Sequence, residues 1–459
     1  MLTKGGSTQG SGGGLGIYVH IPFCVKKCAY CDFLSFGGRK HGEHSAYAAA
    51  LLREIRIKAD VYAGRYTVDS VFFGGGTPSC IDAGLLARIM EGLKASFRFA
   101  PSCEATIEAN PGTVDARKLE AYLRAGINRL SMGVQSTSAR TLALLGRIHG
   151  RQAFLEAYGL ARAAGFKNIN FDLMFAVPGQ SEGEWAECLE EAISLRPEHI
   201  SFYSLQIEEG TEIYDRCHAG ELAPADEAVD RRMYHRALAI LEKNAYFRYE
   251  ISNACRKGFE CRHNLKYWSM QDYLGLGLGA HSFLEGVRIG GIEDLAAYLV
   301  AAQEGDYECE RHANTESDNI SEAMFLGLRR AAGLSGEEFR AATGKGLYET
   351  FGAQLEKLAA AGLLEADRPL GAGTGSGDDA GGGSTQPQGR GDARPQGSTQ
   401  PQGRGDARPQ GSTQPQGRDG CAAKGAGRDG AGAGDGDGLR VWLTPKGIDI
   451  SNTVFLEFM

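Results

Sequence analysis

Gly16-Ile17-Tyr18-Val19-His20-Ile21-Pro22-Phe23-Cys24-Val25-Lys26-Lys27-Cys28-Ala29-Tyr30-Cys31-Asp32-Phe33 runs from a β-branched stretch straight into three cysteines. Ile17 to Phe23 reads as a strand, and the thiols of Cys24, Cys28 and Cys31 follow in one loop at its end. Soft thiolates suit zinc, copper(I) or iron–sulfur centres. A closed zinc site would need a fourth ligand, for which His20, His41 and His44 are the nearest candidates, and zinc ligands usually come as two separated doublets. A triplet in one loop is better matched by a four-iron cluster with one iron left without a protein ligand.

Outward from this strand, short β-branched or aromatic runs alternate with helical patterns as far as about Tyr249. Strands are predicted at Ile17 to Phe23, Ser70 to Gly74, Ala105 to Ala109, Arg129 to Val134, Asn168 to Phe175 and His199 to Leu205. Between and after them, apolar spacings of three and four predict helices near Ala46 to Tyr62, Asp82 to Phe97, Ala116 to Ala125, Ala153 to Ala164, Glu182 to Leu195 and Asp226 to Lys243. Repeated strand–helix units imply an α/β protein with a parallel sheet. Six units fall short of an eight-fold barrel, so the expectation is a partial (β/α)6 barrel with its chemistry at the ends of the strands.

The cysteine spacing, with Tyr18 to Cys24 before it and Tyr30 to Phe33 within it, resembles the radical S-adenosylmethionine (SAM) enzymes. The match is narrower still with the branch of oxygen-independent coproporphyrinogen III oxidase and the heme chaperone HemW. The resemblance implies a partial barrel holding a [4Fe–4S] cluster on Cys24, Cys28 and Cys31, with SAM on the open iron. It places Tyr18 beside the bound SAM, and Gly74, Gly75 and Thr77 of Phe72-Phe73-Gly74-Gly75-Gly76-Thr77-Pro78 at its amino group. Taken alone, that glycine run is an ordinary turn before a helix. Glu108 and Gln135 end the third and fourth strands. Arg147 and Asp172 match positions that contact the SAM carboxylate and the ribose or sulfonium side, and a guanidinium is a fitting donor to a carboxylate.

Within the branch, the oxidases usually continue the cysteine loop with a fourth cysteine two positions on. Phe33 stands there. A second mark is His263-Asn264-Leu265-Lys266-Tyr267-Trp268, which resembles a pattern of the chaperone branch proposed for heme contact. An imidazole can be an axial ligand, and Tyr and Trp offer flat apolar area to a porphyrin. His281 is an equal rival to His263 as ligand, and Tyr267 and Trp268 can equally be read as packing the barrel against a smaller domain. The implied activity is heme binding and delivery to an apo-hemoprotein, with coproporphyrinogen III decarboxylation as the alternative enzyme reading.

The formal charge of -8 gives no broad reason to bind nucleic acid or an anionic membrane. No apolar run long enough to span a bilayer is present, the start has no apolar signal core, and the scattered cysteines suit a reducing compartment, so a cytoplasmic protein is expected. The expected organisation is a Gly/Ser-rich disordered start (1–15), the barrel (16–249), a connecting region (250–312) and a winged-helix-like domain (313–459). The last is interrupted at 371–438, where 22 of 68 residues are glycine. A 14-residue repeat beginning at Gly383, Gly397 and again at Gly411 lies within it. Such a segment buries too little apolar surface to offset ordering, so it is expected to be disordered.

Overall fold

The first strand begins earlier than the sequence suggests. β1 is Gly13–Ile21, and Gly13, Gly14 and Leu15 already pair in parallel with Tyr66, Thr67 and Val68. In this computed structural model, which describes residues 13–370 and 438–459, Gly14 is packed and not free. A Cβ there would lie 2.1 Å from Asp69 Oδ2, and Lys266 Nζ donates to the Gly14 carbonyl at 3.2 Å. The glycines serve close approach where composition alone reads as linker. Residues 1–12, and 371–437 of the expected insertion, lie outside the described residues.

Five further strands follow: β2 (Tyr66–Gly75), β3 (Phe99–Ala109), β4 (Arg129–Gln135), β5 (Ile169–Phe175) and β6 (His199–Ser204). They lie in that order, all parallel, next to β1. Helices α1 (His41–Tyr62), α2 (Ala83–Ser96), α3 (Ala116–Ala125), α4 (Arg151–Ala164), α5 (Glu182–Ser194) and α6 (Glu227–Lys243) alternate with them, close to the predicted spans. Their starts are capped as the sequence directs: Asp82, Asp115 and Asp226 accept first-turn amides, and Ser181 with Glu184 forms a capping box. Along β1, Leu15, Ile17, Val19 and Ile21 are fully buried, while Gly16, Tyr18 and His20 alternate onto the opposite face. The same alternation puts Glu108, Asn170, Asp172, His199 and Ser201 together on the inner face.

The sheet continues at both ends. β7 (Phe247–Glu250) and β8 (Asn253–Cys255) add antiparallel strands beyond β6. Beyond β1 come β9 (Tyr273–Leu276), parallel to it, and then antiparallel β10 (His281–Leu284), β11 (Val287–Gly291) and β12 (Glu308–Ala313). The twelve strands make one open sheet with β7 and β12 at its edges. Much of the stretch expected to connect two domains is therefore sheet. The parallel strand β9 is only four residues, Tyr-Leu-Gly-Leu, with glycines following at 277 and 279; a Cβ on Gly275 would lie 2.2 Å from the His281 carbonyl oxygen.

After α7 (Arg262–Trp268), which lies between β8 and β9 in the chain, and α8 (Leu295–Glu304) come α9 (Glu316–Arg329), α10 (Gly336–Thr343) and α11 (Leu347–Ala360). They pack with a second small sheet of β13 (Leu334–Ser335), β14 (Leu364–Ala366) and β15 (Arg440–Leu443), in the order β13-β15-β14. Among the described residues no helix is long and apolar enough to cross a membrane.

Candidate functional site

The cysteine loop leaves β1 at Pro22 and is fixed by its own backbone. Phe23 and Cys24 pair with Phe36 and Gly37, the Ala29 N–H donates to the Leu145 carbonyl at 3.1 Å, and Ile213 N–H donates to Ala29 O at 2.9 Å. Cys24, Cys28 and Cys31 are free and half-buried. Burial raises the Cys24 thiol above its ordinary range and pushes Cys31 up to about 11.

Among the described residues no three His, Cys, Asp or Glu side chains gather closely enough to hold a single metal ion. His20, the nearest zinc candidate, is occupied: its Nε2 meets the Leu34 carbonyl at 2.9 Å and its Nδ1 the Tyr18 hydroxyl at 3.0 Å. A carbonyl only accepts, so Nε2 carries the proton and Nδ1 accepts from Tyr18. Burial lowers the imidazole to about 4 and keeps it neutral. His44 lies with its ring 4.4 Å from that of Phe23.

A guanidinium faces the thiols. Arg147 Nη1 donates to Cys28 Sγ at 3.2 Å, and its Nη2 donates to Gly133 O at 2.7 Å and to Asn110 Oδ1. Its Nε is buried without a partner, and a guanidinium so placed can offset the negative charge of a thiolate-bound cluster or take a carboxylate. Asn110 was not singled out from the sequence. It donates from Nδ2 to Thr77 Oγ1 at 2.8 Å, and Thr77 Oγ1 lies 3.5 Å from Cys24 Sγ. The signal for it in the sequence is the Asn110-Pro111-Gly112 turn after β3.

The glycine run ends β2 against the loop. Gly75 sits at φ +108° with its missing Cβ direction filled by the His20 ring at 2.5 Å, and a Cβ on Gly76 would meet Phe23 O at 2.7 Å. Thr77 N–H donates to that same carbonyl at 2.7 Å. Beside this cradle, Glu108 is half-buried and pushed up to about 8, by burial first and then by the charge of Asp172. Asp172 is itself raised by burial, against hydrogen bonds from Asn170, Ser201 and Ser131. Gln135 ends β4 at φ +64°, a strained conformation for a side-chain-bearing residue and one that recurs at functional sites. The structure thus brings Tyr18, Gly74, Gly75, Thr77, Glu108, Gln135, Arg147 and Asp172 to one end of the parallel strands with the cysteines.

His263 approaches the same inner face from α7, its ring stacked on that of Tyr18 at 6.5 Å. It is 1% exposed on α7, its Nδ1 is 3.1 Å from Ser70 Oγ, its Nε2 is 2.9 Å from the Tyr267 hydroxyl, and its ring stacks on Phe72. Trp268 is buried beneath the guanidinium of Arg329, 4.3 Å from its ring centre. Trp268 thus packs α7 against the C-terminal helix of Arg329, while the Tyr267 ring meets His263 and Tyr273 edge-on. His281, on β10, is half-exposed, with its ring over Gly290.

Strands, cysteine loop and facing residues define a radical SAM protein: residues 18–192 match the radical SAM superfamily and residues 314–368 the HemN C-terminal domain. Membership implies SAM and a [4Fe–4S] cluster. More narrowly, the chain belongs to the family of the heme chaperone HemW. It is 35% identical over 349 residues to the Bacillus subtilis heme chaperone HemW, covering 76% of this chain and 92% of that relative. It is 40% identical over 267 residues to the Escherichia coli one, covering 58% and 69%. The structure of the Escherichia coli coproporphyrinogen III oxidase HemN, a radical SAM enzyme, shares the fold at a TM-score of 0.68 and 24% identity, covering 76% of this chain and 84% of that one.

Proposed function

We propose that this protein binds heme and delivers it to an apo-hemoprotein while holding a cluster and SAM at the open end of its strands. The observation that carries the reading is the trio of half-buried thiols beside Arg147 in a chain of the HemW family. Cys24, Cys28 and Cys31 would hold three irons. Arg147 would take the SAM carboxylate, the Gly74–Thr77 cradle its amino group, and Glu108, Gln135 and Asp172 its remaining polar groups, with Tyr18 alongside. When bound, the cluster supplies an electron at its open iron.

For heme, accessibility separates the two histidines. His263 would have to release Tyr267 and leave a buried stack, whereas His281 is already reached by solvent, so we assign His281 as the protein's axial ligand. Phe33, where the oxidases carry a further cysteine, weighs against coproporphyrinogen decarboxylation. Ten cysteines of the described residues are free, which suits action in the cytoplasm.

Anaerobic reconstitution with iron, sulfide and heme tests the reading. A porphyrin absorption band on the protein, with no turnover of coproporphyrinogen III when SAM and reductant are added, supports it; turnover would transfer the assignment to the oxidase. Cys28→Ala should abolish the iron–sulfur absorbance and leave heme uptake, while His281→Ala should weaken heme uptake at least about tenfold. Heme uptake unchanged in His281→Ala would remove that ligand assignment.

A further inference from the structure

Asn170, His199 and Tyr249 form a buried chain between Asp172 and the start of α7. Asp172 Oδ1 accepts from Asn170 Nδ2 at 2.8 Å and Oδ2 from Ser131 Oγ at 3.0 Å. Asn170 Nδ2 also donates to Ser131 Oγ at 2.7 Å, so the amide nitrogen faces the carboxylate and Oδ1 faces away. That oxygen meets His199 Nδ1 at 2.6 Å and Ser201 Oγ at 3.2 Å. An amide oxygen only accepts, which puts a proton on His199 Nδ1, and in the neutral form of the ring Nε2 is then the acceptor. The Tyr249 hydroxyl stands 2.7 Å from Nε2, and its oxygen accepts from the Cys261 N–H at 3.3 Å.

The donors therefore all point one way: Cys261 N–H to Tyr249, Tyr249 O–H to His199, His199 Nδ1–H to Asn170, Asn170 Nδ2–H to Asp172. Asn170, His199 and Tyr249 are at most 2% exposed, and in such a setting successive hydrogen bonds polarise one another. At the far end Cys261 is the N-cap of α7, the helix of His263, Tyr267 and Trp268, and the His263 N–H donates to Glu104 Oε1 at 3.1 Å.

We propose that His199 is a positioning residue: it fixes the Asn170 amide, and through it the Asp172 carboxylate, for bound SAM, and through Tyr249 it ties that geometry to the start of α7. This rests on the SAM assignment above. Its consequence is that SAM binding orders α7, and by linkage any ligand that shifts α7 changes SAM affinity by the factor SAM changes its own.

The test uses the full chain with its cluster reconstituted, SAM affinity read from the change in the reduced cluster's paramagnetic resonance signal, and hydrogen exchange of the 262–268 amides with and without SAM. His199→Leu, which removes both ends of the link, should weaken SAM binding about tenfold. His199→Asn keeps a donor in place of Nδ1 without reaching Tyr249. It should retain near wild-type affinity yet lose the SAM-dependent protection of α7, as should Tyr249→Phe. Wild-type SAM affinity in a folded His199→Leu protein, or protection persisting in both His199→Asn and Tyr249→Phe, overturns the proposal while leaving the function intact. Should His199→Leu not fold, the other two variants decide it. A wild-type protein that takes up its cluster but no SAM overturns the functional reading and this inference together.

Discussion

Glu54 shows how one buried carboxyl ties a helix to a glycine loop. It is 3% exposed in α1, and its Oε2 accepts from the Gly277 N–H at 2.8 Å and from the Tyr298 hydroxyl at 2.7 Å. Burial outweighs those bonds and pushes it from 4.5 up to about 7. A folded-state value above the unfolded one means that the folded protein binds the extra proton. The associated stability is fully present below about pH 4.5 and is lost as pH rises through about 7. Glu54→Gln keeps an acceptor without the titration. Its stability relative to the parent should rise between pH 5 and pH 8 by up to about 3 kcal/mol, read as the difference in thermal midpoints at the two values. A difference that stays constant with pH would remove Glu54 from the account. Side chains of this kind were invisible in the sequence, where Glu54 looks like any helical glutamate. The glycines at 74 and 75 were marked, but the His20 ring that occupies the Cβ direction of Gly75 is a contact across strands that spacing alone does not reveal.

At the scale of elements, period-two and period-3.6 patterns located the six parallel strands and their helices, because those strands are walls of Val, Ile, Leu and Phe between amphipathic helices. Where glycine replaces side chains the pattern is lost. The start of β1 and all of β9 went unread, since a strand that needs close backbone approach looks like a linker. The motif on α7 was legible as a motif and ambiguous in meaning, since an aromatic pair can face a ligand or a neighbouring helix. Its geometry gives Trp268 a packing role: the ring is 3% exposed, under Arg329 of α9, whose Nη2 also lies 3.8 Å from Glu250 Oε2. Trp268→Ala should therefore cost about 3–5 kcal/mol of stability through the cavity it leaves. Heme uptake per folded molecule should stay unchanged, measured by heme titration below the midpoint of thermal unfolding. A variant of parental stability that no longer takes up heme would return Trp268 to a porphyrin contact.

For the whole molecule, the repeat segment joins two strands that are already partners. Leu364, Glu365 and Ala366 pair with Leu443, Trp442 and Val441, and the pairing is closed at its open end by Asp367 N–H to Arg440 O at 3.0 Å and Arg440 N–H to Asp367 Oδ1 at 3.0 Å. The pair is anchored from the other side as well: β13 adds to β15, and Phe339, Phe351 and Phe458 pack ring to ring beneath, at 6.0 and 5.1 Å. The entropy of closing a loop grows only with the logarithm of its length. Replacing 371–437 by a turn of a few residues should raise stability by about 2 kcal/mol at most. Cluster assembly and heme uptake, whose assigned residues lie outside this hairpin, should not change. Calorimetry of the shortened chain, with heme titration alongside, checks both halves. A shortened protein that is less stable, or that takes up heme poorly, would mean that the repeats contribute contacts of their own and that the hairpin is not the independent unit its pairing implies.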